Sequence, residues 1–160
     1  MWRKRINYLE FSDGIKKVII SLNIIKTFQK FGQKLNKLEA GGILLGNVFE
    51  NYDLILKISI PNPLDSRGFN FFNRSKIPAQ KKINDSWKRS KGDLIYLGEW
   101  HTHSELNPQP SPTDVKMINK VFKETVMEIN FLYLIIVGVD KTFWVGRQNS
   151  NGLVKLEEIK

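Results

Sequence analysis

A chain of 160 residues with 41% hydrophobic and 11% aromatic content is the size of a single domain, 1–160, and apolar enough to close a continuous core. The absence of cysteine excludes disulfides and thiolate metal sites, so any metal must be held by nitrogen and oxygen. The net charge of +9 is unevenly placed, with 18 Lys and Arg against 7 Asp and Glu in residues 1–91 and 7 against 9 in residues 92–160.

The leading Met1-Trp2-Arg3-Lys4-Arg5 is basic, but residues 6–13 are too polar for the apolar centre of a signal peptide. No apolar run approaches the roughly 20 residues of a membrane span, so a cytoplasmic protein is expected. From residue 13 to about 38, Ile15, Val18, Ile19, Leu22, Ile25 and Phe28 follow helical spacing, with Lys16, Lys17, Lys26 and Lys30 outside and Ser12 or Asp13 as cap. Residues 41–49 and 54–60 read as the strands of a hairpin joined by the turn-forming Glu50-Asn51-Tyr52-Asp53. Residues 61–91 read as irregular at first and then helical from Pro78, whose ring suits a first turn.

Residues 67–91 hold eight basic side chains, Arg67, Arg74, Lys76, Lys81, Lys82, Lys88, Arg89 and Lys91, against the single acid Asp85. Such a segment is either a solvated face or a docking surface for an acidic protein or nucleic acid. Residues 94–103 read as a strand. Ser111 then opens a helix, with Pro112 at its first position, Asp114 three residues on, and apolar Val115, Ile118, Val121 and Phe122 beyond. The near-continuous apolar run 131–139 predicts a strand covered on both faces, and 142–147 and 153–159 predict two more. Together these elements predict the α/β (α+β) class, a mixed sheet with helices packed on it.

The only two histidines, His101 and His103, stand two residues apart on the predicted strand, which aims both rings to one side. The helix starting after Ser111 brings Asp114 back toward them. Two imidazoles and one carboxylate leave the fourth tetrahedral position open, as in a catalytic rather than a structural zinc site. Each half also has a plain explanation: two surface histidines, and a helix cap in which Ser111 and Asp114 need no metal. A hydrolytic site further needs a base, and Glu39, between an apolar helix and an apolar strand, is the candidate; it is equally placed to be a helix C-terminal residue before Gly41 and Gly42.

Glu39, His101-Thr102-His103, seven intervening residues, Ser111 and then Asp114 together resemble the signature of the JAMM (MPN-plus) metalloproteases. The flanking Glu39-Ala40-Gly41-Gly42-Ile43-Leu44-Leu45-Gly46 and Gly98-Glu99-Trp100 resemble the prokaryotic branch. Ser104 departs from it, since many of its members have proline there. The resemblance implies a cytidine-deaminase-like fold and one zinc ion per chain. It implies that His101, His103 and Asp114 ligate the metal, that Glu39 is general acid and base, and that Ser111 helps hold the tetrahedral intermediate. The implied reaction is hydrolysis of the amide after the C-terminus of a ubiquitin-like conjugated protein.

Among these proteases the sequence resembles the small members of bacterial CBASS antiphage operons. There the implied substrate is a CD-NTase-type nucleotidyltransferase joined through an extended C-terminal tail to lysine. Another ubiquitin-like or sulfur-carrier protein is the alternative substrate. A DNA-associated MPN-fold protein without protease activity is the alternative class, and its usual N-terminal DNA-binding module finds no room here, so neither nucleic acid nor membrane is expected as partner.

Overall fold

The β-branched run Val18-Ile19-Ile20 turns the start of the expected helix into strand. The computed structural model describes residues 8–32 and 37–160. In it β1 (Tyr8–Ser12) and β2 (Lys17–Ser21) form an antiparallel hairpin, and helix α1 (Leu22–Gly32) begins only afterwards. Ser12 and Asp13 close the hairpin turn instead of capping a helix: Asp13 Oδ1 accepts from Ile15 N and Lys16 N at 3.0 and 3.1 Å, and Gly14 takes a φ of +87°. Val18 and Ile20 point into the core, a period of two that the apparent helical spacing concealed. Residues 33–36 of the expected helix lie outside the described residues, and residues 37–40 are not helical.

Strands β3 (Gly41–Val48) and β4 (Tyr52–Ile58) make the expected hairpin. The segment expected to be irregular contains a small hairpin, β5 (Ser66–Arg67) with β6 (Phe72–Asn73). Helix α2 (Lys76–Arg89) follows, with Ser75 at its N-cap and Pro78 in its first turn. Then come β7 (Ile95–Thr102), α3 (Pro112–Glu124), β8 (Leu132–Val137), β9 (Phe143–Asn149) and β10 (Gly152–Glu158), close to the sequence expectation.

The sheet is mixed and closes on itself in the order β1-β10-β9-β8-β7-β3-β4-β2, with β7–β8 and β2–β4 parallel and the other neighbours antiparallel. Alternation along β8 builds two cores. Tyr133, Ile135 and Val137 pack with Ile24, Ile25 and Phe28 of α1, while Leu132, Leu134 and Ile136 pack with Ala79 of α2 and Ile118 of α3. Gly98 makes the centre possible. It sits at the bulge between β3 and β7 with φ +143°, and a Cβ there would fall 1.9 Å from the Tyr133 carbonyl oxygen. Only glycine lets β7 press against β8 and deliver His101 at its far end.

Two acids of the first hairpin and its partner strand are paired. Asp53, fully buried, meets Lys16 Nζ at 2.8 Å and accepts from the Tyr133 hydroxyl at 2.7 Å, while Asp13 pairs with Arg147. Breaking such a buried pair costs about 3–5 kcal/mol, so these groups hold the first hairpin against the rest of the barrel. Among the described residues no helix is long and apolar enough to cross a membrane.

Candidate metal centre

Pairing between β3 and β7 sets the floor of the site. Gly41 lies opposite His101, and the pairing continues past the strand end, where Thr102 N donates to the Ala40 oxygen at 2.8 Å and Ala40 N to Thr102 Oγ1 at 3.0 Å. Carrying that register one residue further puts Glu39 opposite His103. Glu39, Gly41, His101 and His103 therefore share one side of the ladder, and the glycine between them makes room for the Phe72 ring, which a Cβ there would meet at 2.5 Å. Glu39 is buried at 8% exposure and lies in non-helical chain, so Gly41 and Gly42 begin a strand rather than end a helix. Its main chain is fixed by donation to the Gly68 oxygen at 2.7 Å and by acceptance from Arg67 Nε at 2.8 Å.

Helix α3 supplies the third member. Ser111 Oγ accepts from Asp114 N at 3.1 Å, and Ser111 N donates to Asp114 Oδ2 at 2.7 Å, a complete capping box. The cap and the cluster thus share Asp114: while holding the helix start, its carboxylate spans both imidazoles. His101 Nε2 lies 3.1 Å from Asp114 Oδ1, His103 Nε2 lies 3.1 Å from Asp114 Oδ2, and the two Nε2 atoms are 3.2 Å apart.

These separations test whether a metal fits. Ligand bonds of about 2.0–2.1 Å in a tetrahedron put donor atoms about 3.3 Å apart, close to what the two rings and the carboxylate show. Two imidazole nitrogens 3.2 Å apart that both face one carboxylate suit a shared cation. His101, His103 and Asp114 form a group that can hold a metal ion.

The charges agree with this geometry. Burial works against Asp114, yet hydrogen bonds from His101 and His103 hold its carboxyl far below the usual range. Burial also opposes protonation of His103, but its bond to Asp114 raises its pKa. Burial pushes the Glu39 carboxyl upward, against the pull of both imidazoles.

The five candidate residues Glu39, His101, His103, Ser111 and Asp114 all line one cavity of about 450 Å³. Its opposite wall comes from residues the sequence did not single out, Phe69, Phe71 and Phe72 of the β5–β6 hairpin and Met117 of α3. The signal for that wall was Gly68-Phe69-Asn70 ahead of Phe71-Phe72, a hairpin cue in a stretch read as irregular. Arg74 ties the hairpin down, donating from Nε to both oxygens of Glu99 at 2.8 and 2.9 Å, while the Tyr96 hydroxyl donates to Glu99 at 2.6 Å. Although burial opposes its charge, the Glu99 carboxylate holds the Arg74 guanidinium firmly protonated. A larger groove, about 580 Å³ between β1, α1 and β9, contains no comparable ligand group among the described residues.

Residues 23–146 match the family described as prokaryotic homologs of the JAB domain. The chain is 32% identical to a CD-NTase/cGAS isopeptidase of Escherichia coli (strain TW11681), over 96% of each chain. It is 31% identical to a CD-NTase/cGAS isopeptidase of Vibrio cholerae serotype O1, over 76% of this chain and 75% of the relative. The solution structure of a protein from Desulfitobacterium hafniense shares the fold, with TM-score 0.58 at 16% identity over 85% of this chain and 87% of that one.

Proposed function

This chain belongs to the family of prokaryotic homologs of the JAB domain, and from that premise we propose that it is a zinc-dependent isopeptidase working as one domain over residues 1–160. Pairing of β1 with β10, which joins the two ends of the chain, supports the single domain. The observation that carries the activity is the Asp114 carboxylate spanning His101 Nε2 and His103 Nε2, one oxygen at 3.1 Å from each and the two nitrogens 3.2 Å apart, with Glu39 on the same side of the ladder and an open cavity above.

His101, His103 and Asp114 would hold one zinc ion. When bound, zinc supplies Lewis acidity, lowering the pKa of a water from about 15.7 toward 7 and polarising a carbonyl. Glu39, with its carboxyl pushed up by burial, accepts the proton of the attacking water and returns it to the departing amine. Ser111 Oγ uses a lone pair to cap α3, so its hydroxyl proton stays free to donate to the developing oxyanion.

The names of the relatives support a CD-NTase-type nucleotidyltransferase as the protein released, and the proposed bond joins its C-terminal tail to a lysine amine. Every barrel strand already has a neighbour on both sides, so an extended tail adding as a strand would lie along the two-stranded β5–β6 hairpin, beside exposed Phe69 and Phe71. The test is cleavage of such a conjugate by the zinc-loaded protein, stopped by a chelator and restored by zinc. A loaded protein that leaves both this conjugate and ubiquitin-like conjugates intact would overturn the reading.

The basic face of α2 would meet the acidic globular part of that substrate. Lys81 is paired with Asp85 at 2.7 Å, whereas burial and the neighbouring Lys57 lower the pKa of Lys82, a sign of crowded positive charge. Reversing Lys81, Lys82 and Lys88 to Glu is expected to lower kcat/KM on the whole conjugate about tenfold or more at low salt. Cleavage of a short tail peptide should not change. Equal rates on the whole conjugate would remove the docking role.

A further inference from the structure

We propose that Glu105 is a positioning residue that fixes the ring of His103 for metal binding; the inference rests on His103 being a ligand through Nε2. His103 Nε2 faces His101 and Asp114, at 3.2 and 3.1 Å. A metal at Nε2 requires the ring proton to sit on Nδ1. Yet Nδ1 is buried from solvent and makes no hydrogen bond, an uncommon state for a polar atom.

The nearest acidic oxygen is Glu105 Oε2, 3.6 Å away, which is beyond a hydrogen bond but within one side-chain adjustment of it. The main chain of Glu105 cannot drift, because its carbonyl oxygen accepts from Val139 N at 2.8 Å at the end of β8. Its side chain is free to move, being 55% exposed. Closing the gap to about 2.8 Å takes a shift of less than about 1 Å at the end of that exposed side chain. Glu105 thereby takes up the buried, unpartnered ring atom of His103, selects the Nδ1–H tautomer and makes Nε2 a stronger donor to the metal.

The test is the zinc dissociation constant, measured by competition with a chromophoric chelator on the wild type, Glu105→Ala and Glu105→Gln. Both variants keep the carbonyl that holds the loop. The alanine variant is expected to bind zinc 10–100-fold more weakly. The glutamine variant, which still offers an acceptor oxygen, is expected to recover most of the loss. Side-chain 15N shifts of His103 in the zinc-loaded wild type should report the Nδ1–H form. Wild-type affinity in the alanine variant would overturn the role of Glu105 alone. Equal weakening in both variants would assign the effect to charge and likewise overturn positioning by hydrogen bond. A wild type that binds no zinc would overturn this inference and the proposed function together.

Discussion

Replacing Glu39 by Gln is expected to lower kcat for conjugate cleavage by about 10²–10⁴ while zinc stays at one ion per chain. The reason lies in how Glu39 is held. Its structural bonds are made by its main chain, to Gly68 and from Arg67, so an isosteric side chain leaves the approach to β3 intact. What Gln removes is the proton acceptor. The same substitution should change the pH profile. A base works deprotonated, and burial raises the carboxyl of Glu39, so the acid limb of kcat/KM should be shifted upward from that of an exposed glutamate and should vanish in Glu39→Gln. Undiminished turnover by a variant with full zinc content would remove Glu39 as the base.

The prediction also separates Glu39 from the carboxylate beside it. Glu39 and Asp114 share one cavity, but their environments drive them apart, Glu39 upward by burial and Asp114 downward through the two imidazoles. Opposite shifts on neighbouring carboxyls divide the labour: burial favours the protonated form of one, as a proton carrier needs, and the other stays an anion fit to bind a cation.

The stretch from His101 to Asp114 was legible because its signals are local. A strand puts alternate residues on one side, and Ser111-Pro112-Thr113-Asp114 carries its own cap, found intact as a capping box. The central position of β8 was likewise legible from an apolar run covered on both faces. The first hairpin was not: Ile15, Val18, Ile19, Leu22 and Ile25 satisfy a helical period, while the β-branched residues among them favour strand, and pairing with β4 and β10 decided between the two. Closure of the sheet depends on Phe11 meeting Glu158 from the other end of the chain. The bond from Arg74 to Glu99 spans 25 residues and secures a hairpin hidden in what read as loop. Neither contact has a sequence period to announce it.

Asp114→Ala and Asp114→Asn are expected both to abolish tight zinc binding while differing in fold stability. Asp114 does two jobs, as acceptor for Ser111 N and as partner of both imidazoles. Alanine loses both and should destabilise the metal-free protein by about 1 kcal/mol through the lost cap. Asparagine keeps an acceptor for Ser111 N and isolates the loss of the ligand. His103→Ala should match the asparagine variant in losing metal with the cap intact. In the wild type, zinc at 100 times its dissociation constant adds about 2.7 kcal/mol, roughly 5–10 °C in Tm for a chain of this size, and none of the three variants should respond. The pH trends sharpen the test. Without metal, the raised pKa of His103 contributes stability that is present below about pH 6.5 and is lost as pH rises through its folded value. The lowered Asp114 contributes stability that is present above about pH 3.9 and is lost only as pH falls toward its folded value. Zinc needs both imidazoles unprotonated, so the stabilisation it brings grows over the alkaline range in which the metal-free protein weakens. Thermal melts from pH 5.5 to 8.5, with and without zinc, should therefore diverge; parallel curves would mean that His103 and Asp114 are not the ligands.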